Sequence, residues 1–393
     1  MAGPTNSAFI PIARPRLGDE ECQAISRALA SGWVSQGPEV ASFEREFCEV
    51  VGTNYACAVS SCTSALHLAL LAVGVRPGDE VVTVSHSFIA TANAIRYCQA
   101  TPVFVDIQPE TFNMDPALLE AAIGPRVRAI LCVHQIGMPC NLEQILAVGR
   151  AHGLPVVEDA ACAIGSEIRT ADGWQMIGRP HGDVACFSFH PRKLLTTGDG
   201  GMLTTNNPDY DRQFRLLRHH CMDIPDTTRH SSSEVVFESY PGLGYNYRMT
   251  DIQASMGRVQ LSRLPDIVRS RRRLAQRYKE GLAGVGGLGL PVEPEWARSN
   301  WQSFCVRLPE GHDQRAVMQS MLNAEIATRR GVMCIHREHS YPRELWRSVS
   351  DEGDGLGHSE YAQDHTIVLP LYSEMSDEQQ DRVMSKLAEA LCV

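Results

Sequence analysis

The chain has 393 residues, 44% of them hydrophobic and 21% charged, with a formal net charge of -10. That length exceeds one small core and predicts two domains, while the acidic balance leaves no basic footprint for nucleic acid, so any bound anion must be held by local donors. Thirteen scattered cysteines, an odd number with no Cys-x-x-Cys pair, speak against a disulfide framework or a zinc site and for a reducing cytoplasm. No apolar run is long enough to span a bilayer and no signal-peptide pattern opens the chain, so a soluble, cytoplasmic protein is expected.

Residues 19–30 have the period of an amphipathic helix, and SGWVSQGPEV then breaks regularity until a second helical period starts at Phe43. Trp33 in that loop is either a ligand-facing aromatic or a core plug. A short strand over 55–60 runs through Ser61, Cys62, Thr63 and Ser64 into the helical ALHLALLAV. Small hydroxyl residues at such a junction cap the helix and leave backbone N–H groups aimed at any anion placed there; alone, the pattern is as consistent with a plain cap. EVVTVSHSF, TPVFVDI, AILCVHQIG and PVVEDAA recur as β-rich runs between helical segments, the rhythm of a mostly parallel sheet. Ligands of such sheets sit beyond the strands' carboxyl ends, which gathers 85–88, 134–139 and 158–163 on one rim with the Ser61 to Ser64 turn. Asp159 ends an apolar strand, where a carboxylate is unwelcome unless it meets a cation.

The stretch 182–205, GDVACFSFHPRKLLTTGDGGMLTT, reads as two strands around a single lysine and a glycine-rich turn. A lone Lys193 there must be neutralised, paired or used. A helix over 210–219 follows, then a polar excursion over 223–233, then GLGYNYRMTDIQAS and a long helical pattern over 252–282 with a break at Pro265. RSRRR at 269–273 reads as a solvated face. Beyond a Gly- and Pro-rich joint, WQSFCVRL, a helix near 315–323, the strand TIVLPLY and a final helix over 377–391 suggest a smaller α+β domain. The expected division is 1–255, a large domain whose N-terminal segment contributes to the substrate site, and 256–393, a small C-terminal domain.

SGWVSQGPEVASFEREF, SSCTSALHLAL, VHQIGMPCNLEQI, VVEDAACAIGSE, FSFHPRKLLTTGDGGMLTT, GYNYRMTDIQAS and the closing IVLPLY together resemble the DegT/DnrJ/EryC1/StrS aminotransferases. The resemblance runs nearly end to end, with the motifs in the family's order. It implies the α/β fold of type I pyridoxal 5'-phosphate (PLP) enzymes: a mostly parallel seven-stranded sheet flanked by helices, plus a smaller α+β domain. It also implies a homodimer with shared active sites, and PLP cycling with pyridoxamine 5'-phosphate. By the same resemblance Lys193 is the Schiff-base lysine that then moves the substrate proton, and Asp159 faces the pyridine nitrogen. Thr63, Ser64 and Ser188 hold the phosphate, Asn246 reaches it from the partner subunit, and Phe88 stacks on the ring. Cys162 stands where relatives commonly carry Gln or His near the cofactor's 3' oxygen, GDGG replaces the commoner GEGG, and His220-Cys221 replaces the usual His-Gly.

The reaction so implied takes an amino group from glutamate or glutamine to a keto sugar, typically a nucleotide-linked keto-deoxysugar. Arg229, Arg329 and Arg330 are candidates for its diphosphate, with Trp33, His134 and His336 as further substrate-side candidates; exposed arginines in polar loops are the competing reading. A ketocyclitol or another small ketone is the alternative acceptor, and a non-catalytic PLP-binding regulator the alternative class. A sugar dehydratase of this family commonly has His in place of the lysine, so Lys193 argues against it. No helix-turn-helix or basic extension supports a regulator.

Overall fold

The computed structural model describes residues 9–224, 235, 237–349 and 355–392. Helix boundaries follow local chemistry. Asp19–Ser31 ends on Gly32 in the left-handed conformation, and Thr250 and Ser376 close capping boxes on the helices Asp251–Ser262 and Asp377–Ala390. The long helical pattern breaks at Arg263, because Pro265 lacks an N–H and opens the helix Leu264–Leu282 better than it continues the one before. The position 255/256 falls inside Asp251–Ser262.

The strands in chain order are β1 (Tyr55–Val59), β2 (Glu80–Val84), β3 (Thr101–Val105), β4 (Val127–Val133), β5 (Val156–Asp159), β6 (Glu167–Thr170), β7 (Gly173–Met176), β8 (Val184–Ser188) and β9 (Gly201–Thr205). The large sheet has the order β1-β9-β8-β5-β4-β2-β3, and Arg347–Ser348 pairs beyond β3 as an eighth strand. The expected seven-stranded sheet therefore gains one short edge strand from the C-terminal part of the chain. Only β9 runs against its neighbours; the other pairings are parallel.

Both faces of the sheet are buried, and the two-residue period sorts the side chains between them. Val82, Ile130, Cys132, Val156 and Phe187 join one core, and Val81, Ala129, Leu131, Val157 and Cys186 the other. A third core gathers Tyr278, Phe304, Val306, Ile367, Leu369 and Leu387. Ile10 enters this last core by a bridge to Ile326, which ties the N-terminal segment to the C-terminal part of the chain.

RSRRR is not uniformly solvated. Arg271 is 3% exposed, and its Nη1 donates to the carbonyls of Trp301 at 2.9 Å and Gln302 at 3.1 Å. Burial pushes its pKa down to about 10. Arg269, Arg272 and Arg273 pair with Asp266, Glu167 and Asp377.

One buried carboxylate locks the first helices onto the sheet. Glu44, 6% exposed, accepts the Ala58 N–H of β1 at 2.9 Å, Arg218 Nη1 at 2.5 Å and Arg215 Nη1 at 2.8 Å. Burial alone would raise its pKa; the two arginines and the Ala58 N–H outweigh it and hold the carboxyl below the ordinary 4.5. A depressed folded-state value contributes stability that is present above 4.5 and is lost as pH falls through the folded-state value. Glu44→Ala should lower the unfolding free energy by about 3–5 kcal/mol, because Arg218 is left buried without its partner. Glu44→Gln should flatten the acid limb of stability. Denaturant midpoints at fixed protein concentration, measured across pH, check both, and midpoints equal to wild type would remove Glu44 from this role.

Candidate active site

A cavity of about 630 Å³ opens where the carboxyl ends of β1, β2, β4, β5 and β8 face the C-terminal strands Arg329–Arg330 and Thr366–Leu369. At the end of β1, Ser61 caps the helix Cys62–Ala72, its Oγ accepting the Ser64 N–H at 3.1 Å. Ser61, Cys62 and Thr63 line the cavity, as does Ser188 at the end of β8. Ser64 does not. Its side chain is buried, with the hydroxyl against Ser60 Oγ at 3.2 Å and Ser61 Oγ at 2.9 Å. Of the expected Thr63 and Ser64, only Thr63 borders the cavity, and Ser61 and Cys62 border it beside Thr63.

β9 crosses this helix start at the closest possible approach. A Cβ on Gly201 would stand 2.5 Å from the Ser61 carbonyl and 2.7 Å from the Cys62 nitrogen, so only glycine is accommodated there. Because β9 pairs with β8 on its other edge, this contact fixes the turn that carries Lys193 relative to the Ser61–Thr63 cup.

Asp159 closes β5 and is 5% exposed. Oδ2 accepts the Thr91 hydroxyl at 2.8 Å and Oδ1 the Ala161 N–H at 3.2 Å. Burial raises its pKa above the ordinary carboxylate value, against the pull of these two donors and of Lys193. Lys193 Nζ donates to Cys162 Sγ at 3.0 Å. Burial disfavours its ammonium, yet Cys162, Cys62 and Asp159 together hold the Lys193 pKa above the ordinary lysine value. Phe88, 62% exposed, borders the same cavity.

The opposite wall is cationic. Arg192, Arg329 and Arg330 all line it. Arg330 reaches Glu338 at 3.4 Å; Arg329 has no ion pair among the described residues. Burial, then repulsion from Arg329, lowers the Arg192 pKa, so an anion bound between them would relieve both guanidinium groups.

Other expected contacts fall elsewhere. His134 borders the cavity, but its ring is fully buried: Nδ1 accepts the Cys140 N–H at 3.0 Å and Nε2 meets Glu158 at 3.0 Å. No ring nitrogen is left for a substrate, and the residue instead holds the 134–140 loop. His336 is spent likewise, between Ser85 Oγ at 2.6 Å and Glu360 at 2.9 Å, away from the cavity lining. Trp33 is half-buried and outside the lining, its ring 2.8 Å from where a Cβ of Gly37 would stand. Asn246 is exposed and outside the cavity, accepting from Arg248 Nε at 3.3 Å and Nη2 at 3.2 Å. Arg229 lies outside the described residues. Sequence reasoning missed Thr91 and Arg192; the second had a signal, its place beside Lys193, while nothing local marked Thr91.

These groups fit a planar, phosphorylated pyridine aldehyde. Hydroxyls and N–H groups at a helix start suit a phosphate, Asp159 suits a ring nitrogen, Phe88 a ring face and Lys193 the aldehyde. Among the described residues no cluster of three or more His, Cys, Asp or Glu is arranged for a metal ion, and no helix is long and apolar enough to cross a membrane.

The family model of the DegT/DnrJ/EryC1/StrS aminotransferase family matches residues 15–388. The spore coat polysaccharide biosynthesis protein SpsC of Bacillus subtilis (strain 168) is 38% identical over 385 residues, 97% of each chain. Among solved structures, the aminotransferase TlmJ from Streptoalloteichus hindustanus aligns at 34% identity and a TM-score of 0.87, covering 98% of this chain and 99% of its own. The putative sugar aminotransferase Spr1654 from Streptococcus pneumoniae, in its PMP form, aligns at 27% identity and 0.89, covering 97% and 99%.

The glycine contact supplies a test that does not touch a ligand group. Gly201→Ala should keep the far-ultraviolet circular dichroism of the fold while weakening PLP binding by about tenfold or more, since a shift worth 1.4 kcal/mol at the cup suffices. Equilibrium dialysis against PLP measures it; unchanged affinity would show that the approach of β9 does not shape the cup.

Proposed function

The chain belongs to the DegT/DnrJ/EryC1/StrS aminotransferase family, and from that premise we propose that this PLP-dependent aminotransferase carries an amino group from glutamate or glutamine to the keto group of a nucleotide-linked deoxysugar. The observation that carries the reading is the placement of Lys193, Asp159, Phe88, the Ser61–Thr63 cup and three arginines around one cavity. Bound there, PLP supplies an aldehyde that exchanges for an amine and a ring that accepts electrons from the substrate.

The chain's own residues do the rest. Ser61, Thr63 and Ser188 anchor the phosphate, with the helix start Cys62–Ala72 adding its N–H groups and partial positive charge. Asp159, held by Thr91 and Ala161, would face the ring nitrogen, where its carboxylate would favour a proton on that nitrogen. Lys193 Nζ would hold the cofactor through its aldehyde and, as a free amine, would be the group placed to accept and return a proton at Nζ beside the substrate carbon. Cys162 lies beside Nζ, its sulfur 3.0 Å away. Arg192, Arg329 and Arg330 hold the anionic part of the substrate. Donor and acceptor use this one site in turn, which gives ping-pong kinetics.

We infer a homodimer in which Asn246 completes the neighbour's phosphate site, a reading supported by its exposure outside its own cavity. A reducing cytoplasm suits thirteen free thiols.

Adding glutamate or glutamine alone to the PLP-loaded protein should replace its visible absorption band by that of the pyridoxamine form; no change with any amino acid would reject transamination. Asp159→Asn should retain PLP yet slow that half reaction by about 10²–10³-fold, as followed by stopped-flow absorbance. Mixing Lys193→Ala subunits with Asn246→Ala subunits should restore activity through hybrid dimers that hold one intact site, and no recovery in hybrids isolated by paired tags would place Asn246 outside the shared site.

A further inference from the structure

Cys162 differs from most cysteines of the chain. Nine others are buried, and Cys22, Cys48 and Cys392 lie away from the cavity lining, whereas Cys162 is only partly covered and lines the cavity. Its sulfur lies 3.0 Å from Lys193 Nζ. Both partners hang from fixed backbone. Asn300 Nδ2 donates to the Cys162 carbonyl at 2.7 Å and to the Ile164 carbonyl at 2.8 Å, and the Lys193 N–H bonds the His190 carbonyl at 2.8 Å. Cys62, the other cavity thiol, is 8% exposed and points its sulfur at the Cys186 carbonyl, 3.6 Å away. A small oxidant entering this cavity therefore meets one accessible thiol, and that thiol touches the amine on which transamination depends.

We propose that Cys162 and Lys193 form an oxidative modification site, in which hydrogen peroxide joins Sγ to Nζ by a sulfenamide bond and withdraws the lysine from catalysis until a thiol reduces it. The proposal rests on the reading of Lys193 as the lysine that carries the cofactor. In the first step the Cys162 thiol and one peroxide give a sulfenic acid and one water, sulfur losing two electrons and peroxide gaining them. In the second, Lys193, whose surroundings favour the ammonium, first gives a proton to solvent; the amine so formed attacks sulfur, the S–OH bond breaks, an N–S bond forms, and the hydroxyl leaves with an amine proton as a second water. Two thiols reverse the bond, returning the free amine and the Cys162 thiol and leaving as a disulfide. An amine already in contact with the sulfur intercepts the sulfenic acid before a second peroxide drives it to the irreversible sulfinic state.

The cofactor gates the reaction. When the protein holds pyridoxal phosphate, Nζ is taken up by the cofactor's aldehyde and is not a free amine that could attack sulfur and give up a proton. When it holds pyridoxamine phosphate, Nζ is free beside Cys162. The pyridoxamine form, which waits for a keto acceptor, is therefore the vulnerable one, so oxidation halts the enzyme when the acceptor runs short.

The test loads apoprotein with pyridoxal phosphate or with pyridoxamine phosphate, treats both with hydrogen peroxide, alkylates free thiols and maps non-reduced tryptic peptides by mass spectrometry. The pyridoxamine-loaded protein should yield a peptide pair joined between Cys162 and Lys193, about 2 Da lighter than the sum of its parts and split by dithiothreitol. Its yield should exceed that of the pyridoxal-loaded protein by roughly tenfold or more, and it should vanish in Cys162→Ser. After removal of pyridoxamine phosphate, the linked protein should gain no visible band with fresh pyridoxal phosphate until dithiothreitol is added. Sulfinic acid at Cys162 without the joined peptide would overturn the proposal, as would equal yields from the two forms. A pyridoxal-loaded protein with no visible band before peroxide is added would instead overturn the assignment of Lys193, so the two failures are separable.

Discussion

The active site depends on one steric fact, the passage of β9 against the start of the helix Cys62–Ala72. With no side chain on Gly201, backbone meets backbone, and the strand that follows the lysine turn is clamped between the phosphate cup on one side and β8 on the other. β9 is also the only strand of the large sheet that runs against the rest. The chain returns along β8 after the connection 189–200, and Lys193 sits on that connection. The direction of one strand and the absence of one side chain thus set the distance between Lys193 and the Ser61–Thr63 turn.

Around this frame the protein keeps charges where an apolar core would exclude them, and it treats them in two ways. Glu44 is buried with its partners already in place: two arginines and a backbone N–H satisfy it, and the result is a structural lock. Asp159 is buried with only two hydrogen bonds from the protein, neither from a cation, and its pKa rises accordingly. The first arrangement is complete without a ligand, whereas the second calls for a cation to be added. Arg192 and Arg329 have the opposite imbalance, where burial and then the Arg329 charge lower the pKa of Arg192. A cationic ring beside Asp159 would reverse the first imbalance, and a separate anionic group between the arginines the second.

Much of this was legible in the sequence, where local chemistry reports itself. The β-rich runs of β4 and β5, a helix cap within Ser61 to Ser64, the break at Pro265 and the lone Lys193 between strands all follow from residues close in the chain. Contacts between distant residues did not announce themselves. Ser64 reads as a cup residue until Ser61 takes its N–H and hydroxyl. His134 and His336 read as ligand groups until Glu158, Cys140, Ser85 and Glu360 are seen to use both nitrogens of each ring. Arg271 looks like its solvated neighbours until the helix is packed and its guanidinium turns to the carbonyls of Trp301 and Gln302. Polar residues are ambiguous in sequence because their partners, not their types, decide whether they are structural or available.

The short eighth strand has a mechanical consequence. Arg347–Ser348 adds to the edge of the large sheet, Ile335 donates its N–H to the Ser85 carbonyl at 2.9 Å, and His336 bonds Ser85 Oγ, so the C-terminal part of the chain is stitched to the sheet along the same side as the cavity rim. From the other end, Ile10 reaches back into the C-terminal core. Walls fastened at both ends do not swing apart as jaws. Such a cavity admits its guests through the play of side chains and surface loops, and it discriminates among them by a standing shape rather than by the work of closing.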